Sequence, residues 1–176
     1  MFHPHYVTLT NGRPALIRFV EPKDAEPLID HVNDVGSEMV YIMTERLPIT
    51  PEEERELLRK INRNLTLFLV ATLEGKIVGS ADIQRGRHAK NAHTASLGIA
   101  ISKEARGLGL GKAMMDDLLR WARNEKVRKV TLRVFASNDR AISLYRSFGF
   151  EEEGRLKGEV ILGGQPVDEL LMALWL

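Results

Sequence analysis

The stretch from Arg106 to Lys112 has the residue types and spacing of an anion-binding turn. Its sequence, RGLGLGK, alternates three glycines with two leucines between two cationic side chains. Glycine-rich backbone between a strand and a helix exposes consecutive N–H groups at the positive end of the helix dipole. The pattern therefore favours a phosphate-binding turn, with a glycine-rich loop that merely reverses the chain as the simpler alternative.

Two common nucleotide motifs do not fit these residues. A P-loop requires glycine five positions before the Gly-Lys pair and Ser or Thr after it, where this chain has Arg106 and Ala113. The dinucleotide fingerprint requires glycine three residues after the second glycine, where this chain has Lys112. A protein that uses the turn for ATP or NAD is therefore disfavoured.

Metal and thiol chemistry have little support in the sequence. The chain contains no cysteine, which removes disulfides, thiolate metal sites and a cysteine nucleophile together. His3, His5 and His88 have no carboxylate partners at ligand spacing, so no metal site is expected.

Length and charge narrow the class of protein. The 176 residues suit one domain, which we assign to 1–176 with its core at about 15–175. Lys plus Arg number 25 and Asp plus Glu 24, so no overall field favours nucleic acid or a membrane surface. The N-terminal residues lack the pattern of a secretory leader, and we expect a soluble cytoplasmic protein.

Strands and helices alternate in a way that positions the glycine turn. Apolar runs and turn residues predict strands at 15–20, 66–73, 76–84, 94–101 and 129–135, and two more around Gly163-Gly164. Helical spacing predicts helices at 21–36, from about 50, from about 110 and from 138. The turn then joins an apolar strand to a strong helix, as a phosphate site requires.

Two details of the first two helices are specific enough to test. Gly36 is placed to end the first helix. Thr50 and Glu53 predict a capping box at the start of the second, with Leu57 and Leu58 in its buried stripe.

At this point the sequence resembles a known superfamily, the GCN5-related N-acetyltransferases (GNAT). Residues 106–111 resemble its Arg/Gln-x-x-Gly-x-Gly/Ala signature, and 138–150 are similar to a run in ribosomal-protein and bacterial small-amine acetyltransferases. The resemblance extends from about Ala15 to the last strand. Lys103, where many members have proline, is one departure.

The resemblance implies a mixed α/β (α+β) fold and acetyl-CoA as co-substrate. The fold would be a twisted, mostly antiparallel sheet, splayed at its central strand 94–101 and flanked by helices on both faces. In the family the turn binds the pyrophosphate and the splayed strand hydrogen-bonds the pantetheine arm. Carried over to this chain, the coenzyme-binding residues are Ile99, Ala100, Ile101, Arg106, Gly107, Leu108, Gly109, Leu110, Gly111, Lys112 and Asn138.

The resemblance also assigns roles in proton transfer. Tyr145 matches the family tyrosine positioned to protonate the departing thiolate, although its spacing from Ile142 and Phe148 is equally typical of a core-facing stripe. His93, which opens the splayed strand and falls where the ribosomal-protein acetyltransferases have a glutamate, is a candidate general base because an imidazole side chain can exchange protons near neutral pH. Asp82 on the neighbouring strand is a second candidate, and in many members water alone suffices.

The implied activity is transfer of acetyl to a primary amine. The loop 84–93 is basic and contains no acid, which favours an amino-acid-like acceptor over a polyamine. A peptide or ribosomal-protein N-terminus is the second choice of acceptor. A catalytically silent acyl-CoA-binding module on the same fold is the alternative class, and a homodimer is left open.

Overall fold

Eight strands form one sheet in the computed structural model, which describes residues 2–176. The strands are β1 (His5–Thr8), β2 (Pro14–Phe19), β3 (Thr66–Leu73), β4 (Lys76–Arg85), β5 (Thr94–Ile101), β6 (Lys129–Phe135), β7 (Glu151–Leu162) and β8 (Gln165–Trp175). Their order across the sheet is β1-β2-β3-β4-β5-β6-β8-β7, and β5–β6 is the parallel pair in an otherwise antiparallel arrangement.

Four helices cover the two faces of this sheet. They are α1 (Ala25–Ser37), α2 (Pro51–Arg59), α3 (Leu110–Asn124) and α4 (Asp139–Ser147). Successive strand residues point to opposite faces, and on β3 Leu69 belongs to the cluster packed with α3 and α4, whereas Val70 belongs to that of α1 and α2. The expected mixed fold with helices on both faces is therefore confirmed.

The sheet opens between β5 and β6. These strands pair only from Thr94 with Lys129 to Ser96 with Thr131. Beyond that point β5 stays paired with β4, and β6 with β8. One edge of β5 from Leu97 onward therefore lies open, which confirms the splayed central strand.

Local differences from the sequence expectations have simple causes. Gly36 lies within α1, where an added Cβ would come 2.2 Å from the Thr44 carbonyl oxygen, so close packing rather than helix termination explains it. The capping box of Thr50 and Glu53 is present, but Leu57 is 55% exposed and only Leu58 is buried. None of the helices in residues 2–176 could cross a membrane.

Candidate active site

A cavity of about 590 Å³ opens where β5 and β6 separate. The turn 106–112 and residues 97–101 of β5 form one side of it. Residues 133–135 of β6 and the first two turns of α4 face them, and residues 41–43, between α1 and α2, supply a further wall. The splay therefore brings the glycine turn and the open edge of β5 into one site.

The glycines of the turn hold backbone conformations that other residues rarely adopt. Gly107 has φ +75° and Gly109 has φ +88°, in the left-handed region. An added Cβ on Gly109 would meet nothing closer than Thr10 at 4.0 Å, so the space outside the turn is open. A side chain at Gly109 would strain the backbone and occupy the approach to the turn.

The N-terminus of α3 is uncapped. No side chain among residues 2–176 hydrogen-bonds its first N–H groups, and its first turn contains no acidic residue. Thr50 caps α2 and Asn138 caps α4 through their side-chain oxygens. A helix start that offers free N–H groups to a cavity at the positive end of the dipole suits a bound phosphate.

The turn residues divide into two groups. Gly107, Gly109, Gly111 and Lys112 line the cavity. Leu110 is fully buried, and Leu108 packs against the core. The two leucines therefore anchor the turn, and only their backbone could contact a coenzyme.

Arg106 lines the cavity, but its guanidinium is already engaged. Its Nε donates to the Ile101 carbonyl oxygen at 2.7 Å, and its Nη atoms donate to the Glu38 carboxylate at 2.7 and 2.5 Å. The guanidinium carbon also lies 4.0 Å from the centre of the Tyr41 ring. Arg106 thus ties the turn to the 38–43 segment and is not a free phosphate ligand.

Asn138 caps helix α4 and also lines the cavity. Its Oδ1 accepts a hydrogen bond from the Ala141 N–H at 3.2 Å, which caps α4, and the residue lines the cavity. Ile99, Ala100 and Ile101 of β5 line the same cavity.

Tyr145 lies in the wall of the cavity. The residue is 5% exposed, and its ring lies 6.0 Å from that of Phe150, centre to centre. Burial raises the pKa of the Tyr145 hydroxyl to about 12. The Tyr145 side chain therefore packs in the core and also lines the cavity. Because of its raised pKa, its hydroxyl is protonated at neutral pH.

His93 lies at the other end of β5, and the structure does not bring it together with Tyr145. Its side chain is exposed and outside the cavity. Its carbonyl oxygen accepts hydrogen bonds from the N–H groups of Arg128 and Lys129 at 2.8 and 3.1 Å. The geometry gives no support to His93 as a base, because the strand carries it away from the splay.

The basic loop 84–93 also stays apart from this cavity. Its arginines and His88 line a separate polar pocket of about 360 Å³, together with Ser96 and Thr131. The charges of the loop therefore give no direct evidence on what enters the larger cavity.

Asp82 is better placed than His93. It pairs with Gly98 across β4 and β5, and Gly98 lines the cavity. A Cβ on Gly98 would lie 3.2 Å from Asp82 Oδ1, so the carboxylate lies directly beside this glycine. Burial raises the pKa of Asp82 to about 6. A carboxyl group of this kind can accept a proton near neutral pH.

Sequence reasoning missed the wall opposite the glycine turn. Tyr41, Arg133 and Glu169 line the cavity, although they are far apart in the chain. No local motif marks them. Arg133 fits the polar phase of the β6 alternation and so gives no signal, whereas Glu169 shares its phase of β8 with Val167 and Leu171 and is the one irregularity.

Comparison with known proteins agrees with this architecture. Residues 37–150 match the model of the acetyltransferase (GNAT) family. The chain is 29% identical over 160 residues to the L-amino acid N-acetyltransferase AaaT of Escherichia coli K12, covering 90% of this chain and 96% of that protein.

Two solved structures are also similar. A GNAT-family acetyltransferase from Streptococcus pneumoniae has a TM-score of 0.86 and 30% identity, covering 92% of this chain and 99% of that one. A ribosomal-protein-alanine N-acetyltransferase from Brucella melitensis has a TM-score of 0.80 and 32% identity, covering 91% and 99%. The chain belongs to the GNAT family of acetyl-CoA-dependent N-acetyltransferases, as its turn and splayed sheet indicated.

Proposed function

We propose that this enzyme acetylates the primary amine of a small, amino-acid-like molecule. The observation that carries the proposal is a single cavity that brings together an uncapped helix N-terminus and the open edge of β5, with the Asp82 carboxyl group next to the lining residue Gly98. The similarity to AaaT, which is named an L-amino acid N-acetyltransferase, supports an acceptor of this class.

The residues present suit the coenzyme. Acetyl-CoA supplies an activated acetyl thioester when bound. The N–H groups at the start of α3, with Lys112, would hold its pyrophosphate. The open backbone of Ile99 to Ile101 would hydrogen-bond the amide groups of its pantetheine arm, as an added strand would.

Asp82 is our candidate for the general base. An amine with a pKa near ~10 arrives mostly protonated at pH 7 and must lose a proton before its lone pair can attack. The partly buried carboxyl group, with a pKa of about 6, is largely ionised at pH 7 and can take that proton. Asp82 does not itself line the cavity, but its neighbour Gly98 does and has no side chain that would separate the two.

Tyr145 is our candidate for the general acid at the sulfur. A hydroxyl with a pKa of about 12 is a weaker acid than a thiol of pKa ~8.5, so it does not hand over its proton in advance. It donates a hydrogen bond to the sulfur as negative charge develops there. The acetylated amine and free CoA are the products. The amine nitrogen loses two protons in all: the one that Asp82 takes passes to solvent, and the one lost after attack balances the proton that Tyr145 gives to the thiolate.

Release of CoA thiol tests the proposal. Because the chain has no cysteine, a thiol reagent added to enzyme, acetyl-CoA and amine reports released CoA alone. We expect release with amino acids, and a ~10²- to 10⁴-fold lower kcat for Tyr145→Phe with unchanged acetyl-CoA affinity by calorimetry. Tyr6→Phe, at a residue 70% exposed, is the matched control. A silent binding module would bind acetyl-CoA and release no CoA with any amine.

A peptide N-terminus is the second candidate acceptor. The 32% identity to a ribosomal-protein-alanine N-acetyltransferase favours it. Short peptides and peptides with ribosomal-protein N-termini therefore belong in the same assay, and a higher kcat/KM for them than for free amino acids would favour the second candidate.

A further inference from the structure

Arg133 and Glu169 line the cavity on the face of the sheet opposite to α3. On β6, Leu132 and Val134 belong to the core packed with α3 and α4, so Arg133 between them points to the face of α1. On β8, Glu169 is the register partner of Phe135, two residues from Arg133, and lies on the same face. Both side chains thus lie on the α1 face of the sheet, in the part of the cavity farther from the glycine turn.

The cationic side chains that line the cavity come from different parts of the structure. Lys112 and Arg106 belong to the turn, and Arg140 Nη2 lies 2.3 Å from where a Cβ on Gly107 would be. The Arg106 guanidinium reaches the segment after α1 but is held there by Glu38, whereas Arg133, on β6, belongs neither to the turn nor to α4. Binding of coenzyme phosphates at the turn does not explain why an arginine lies at position 133.

The contact between Arg133 and Glu169 leaves most of the guanidinium free. Arg133 Nε lies 2.8 Å from Glu169 Oε2, yet the N–H is not aligned for a hydrogen bond, and Oε2 accepts none from residues 2–176. The Nη2 atom donates a long, 3.5 Å hydrogen bond to Glu159 Oε1 in an exposed ion pair. The Arg133 side chain is 52% exposed and that of Glu169 is 5% exposed. Glu169 therefore restrains the Nε end of the guanidinium. Nη1 has no partner within residues 2–176, and the long, exposed bond from Nη2 to Glu159 is one that a ligand carboxylate can replace.

Arg133 also lies in line with the candidate base. Asp82 pairs with Gly98 on β5, and Gly98 and Arg133 each lie two residues beyond the last β5–β6 pair, Ser96 with Thr131. Asp82, Gly98 and Arg133 thus occupy corresponding positions on three successive strands, on one face. Neighbouring strands lie ~4.8 Å apart where they pair, so Asp82 and Arg133 start ~10 Å or more apart. The long arginine side chain covers part of that separation.

We infer that Arg133 binds the carboxylate of an amino-acid acceptor while the amine of the same molecule is directed towards Asp82, and that Glu169 is the residue that positions Arg133. The inference rests on the proposed function and names its acceptor class. A guanidinium donates two parallel hydrogen bonds to a carboxylate, which fixes orientation as well as affinity. Only an acceptor with its carboxylate next to its amine uses both groups at once.

The experiment compares L-leucine with 3-methylbutylamine, which is leucine without its carboxylate. The readout is kcat and KM from CoA release, for the wild type, Arg133→Gln, Arg133→Lys and Glu169→Gln. Arg146→Gln, at an exposed arginine of α4, is the matched control. Each effect is taken as the ratio between the two acceptors, so that the differing basicity of their amines cancels between variants.

We expect Arg133→Gln to raise the KM for leucine ~10- to 100-fold, with kcat changed little and with less than ~2-fold effect on 3-methylbutylamine. Arg133→Lys should fall between, because it keeps the charge and loses the paired hydrogen bonds. Glu169→Gln should raise the KM for leucine by a smaller factor, and the control should change nothing.

The outcomes separate this inference from the proposed function. Equal losses for both acceptors would mean that Arg133 is structural, and no loss would mean that it binds no carboxylate; either overturns the inference and leaves the acetyltransferase proposal standing. The double variant Arg133→Gln/Glu169→Gln, which leaves no buried charge unpaired, must show the same selective loss if the single variant folds poorly. Absence of CoA release by the wild type with any amine would overturn the proposed function, and the inference with it.

Discussion

Replacing Asp82 with asparagine should stabilise the fold while it removes activity. The carboxyl group has a pKa of about 6 against an ordinary 3.8, and burial is the cause. A shift of this size corresponds to ~3 kcal/mol that disfavours the ionised form in the folded protein. Asparagine has the same shape and no charge, so Asp82→Asn should raise the free energy of unfolding at pH 8 by ~2–3 kcal/mol.

The pH dependence of this effect has a definite sign. Between pH ~4 and ~6 the folded protein holds a proton on Asp82 that the unfolded chain has lost, so this group makes stability fall as pH rises. The gain from Asp82→Asn should therefore be close to zero below pH ~4 and complete above pH ~7. Urea unfolding of both proteins at pH 4, 6 and 8 measures it.

Activity should change in the opposite direction. A general base contributes ~10²- to 10⁴-fold, so kcat of Asp82→Asn should fall by about that factor. In the wild type, kcat/KM should fall ~5-fold between pH 6 and pH 5, with its midpoint near pH 6, and the variant should lack that limb. Asp30→Asn, at an exposed aspartate of α1, is the control. A stabilised variant with full kcat and an unchanged acid limb would refute the assignment of Asp82 as the base.

Two further predictions concern the contacts that hold the site in place. Glu38→Gln weakens the hydrogen bonds that hold Arg106, and with it the position of Tyr41 in the cavity wall. The KM for the acceptor should rise ~3- to 10-fold, while acetyl-CoA affinity measured by calorimetry stays near that of the wild type. An effect on acetyl-CoA affinity alone would contradict this role of Glu38 in holding the wall. Burial alone would raise the pKa of Asp24, but hydrogen bonds from Arg18 at 2.6 and 2.8 Å lower it. The stability that this pair contributes is present above pH ~4 and is lost as pH falls further, so Asp24→Asn should cost ~3 kcal/mol in urea unfolding at pH 7 and much less at pH 3.

The side of the cavity that we propose for the coenzyme could be located from the sequence because its determinants are local. The turn, the strand before it and the helix after it are consecutive in the chain, so glycine spacing and apolar period locate them together. Tyr145 and Asn138 lie in one short helix and its cap. The strand bounds 94–101 and 129–135 were also predicted correctly, since each is an apolar run with clear turn residues on both sides.

The acceptor side could not be predicted in the same way. Asp82, Arg133 and Glu169 come from three strands, and only the sheet order and register put them on one face. β1 was missed because its four residues form an edge strand too short for a periodic signal. Leu57 was placed in the core because helical spacing does not indicate where the buried stripe ends.

Gly98 links these two sides of the site. Its φ is not in the left-handed region, so its backbone conformation does not require glycine, and glycine in a strand interior weakens the strand. What it provides is space, because a side chain there would begin 3.2 Å from Asp82 Oδ1, at a position that lines the cavity. The partly buried carboxylate and the bare strand position both lower stability, and neither improves packing. The proposed role of Asp82 as the base for an amine would account for their juxtaposition at the point where the sheet opens. For the same reason, removing the charge at Asp82 should stabilise the protein and lower its activity.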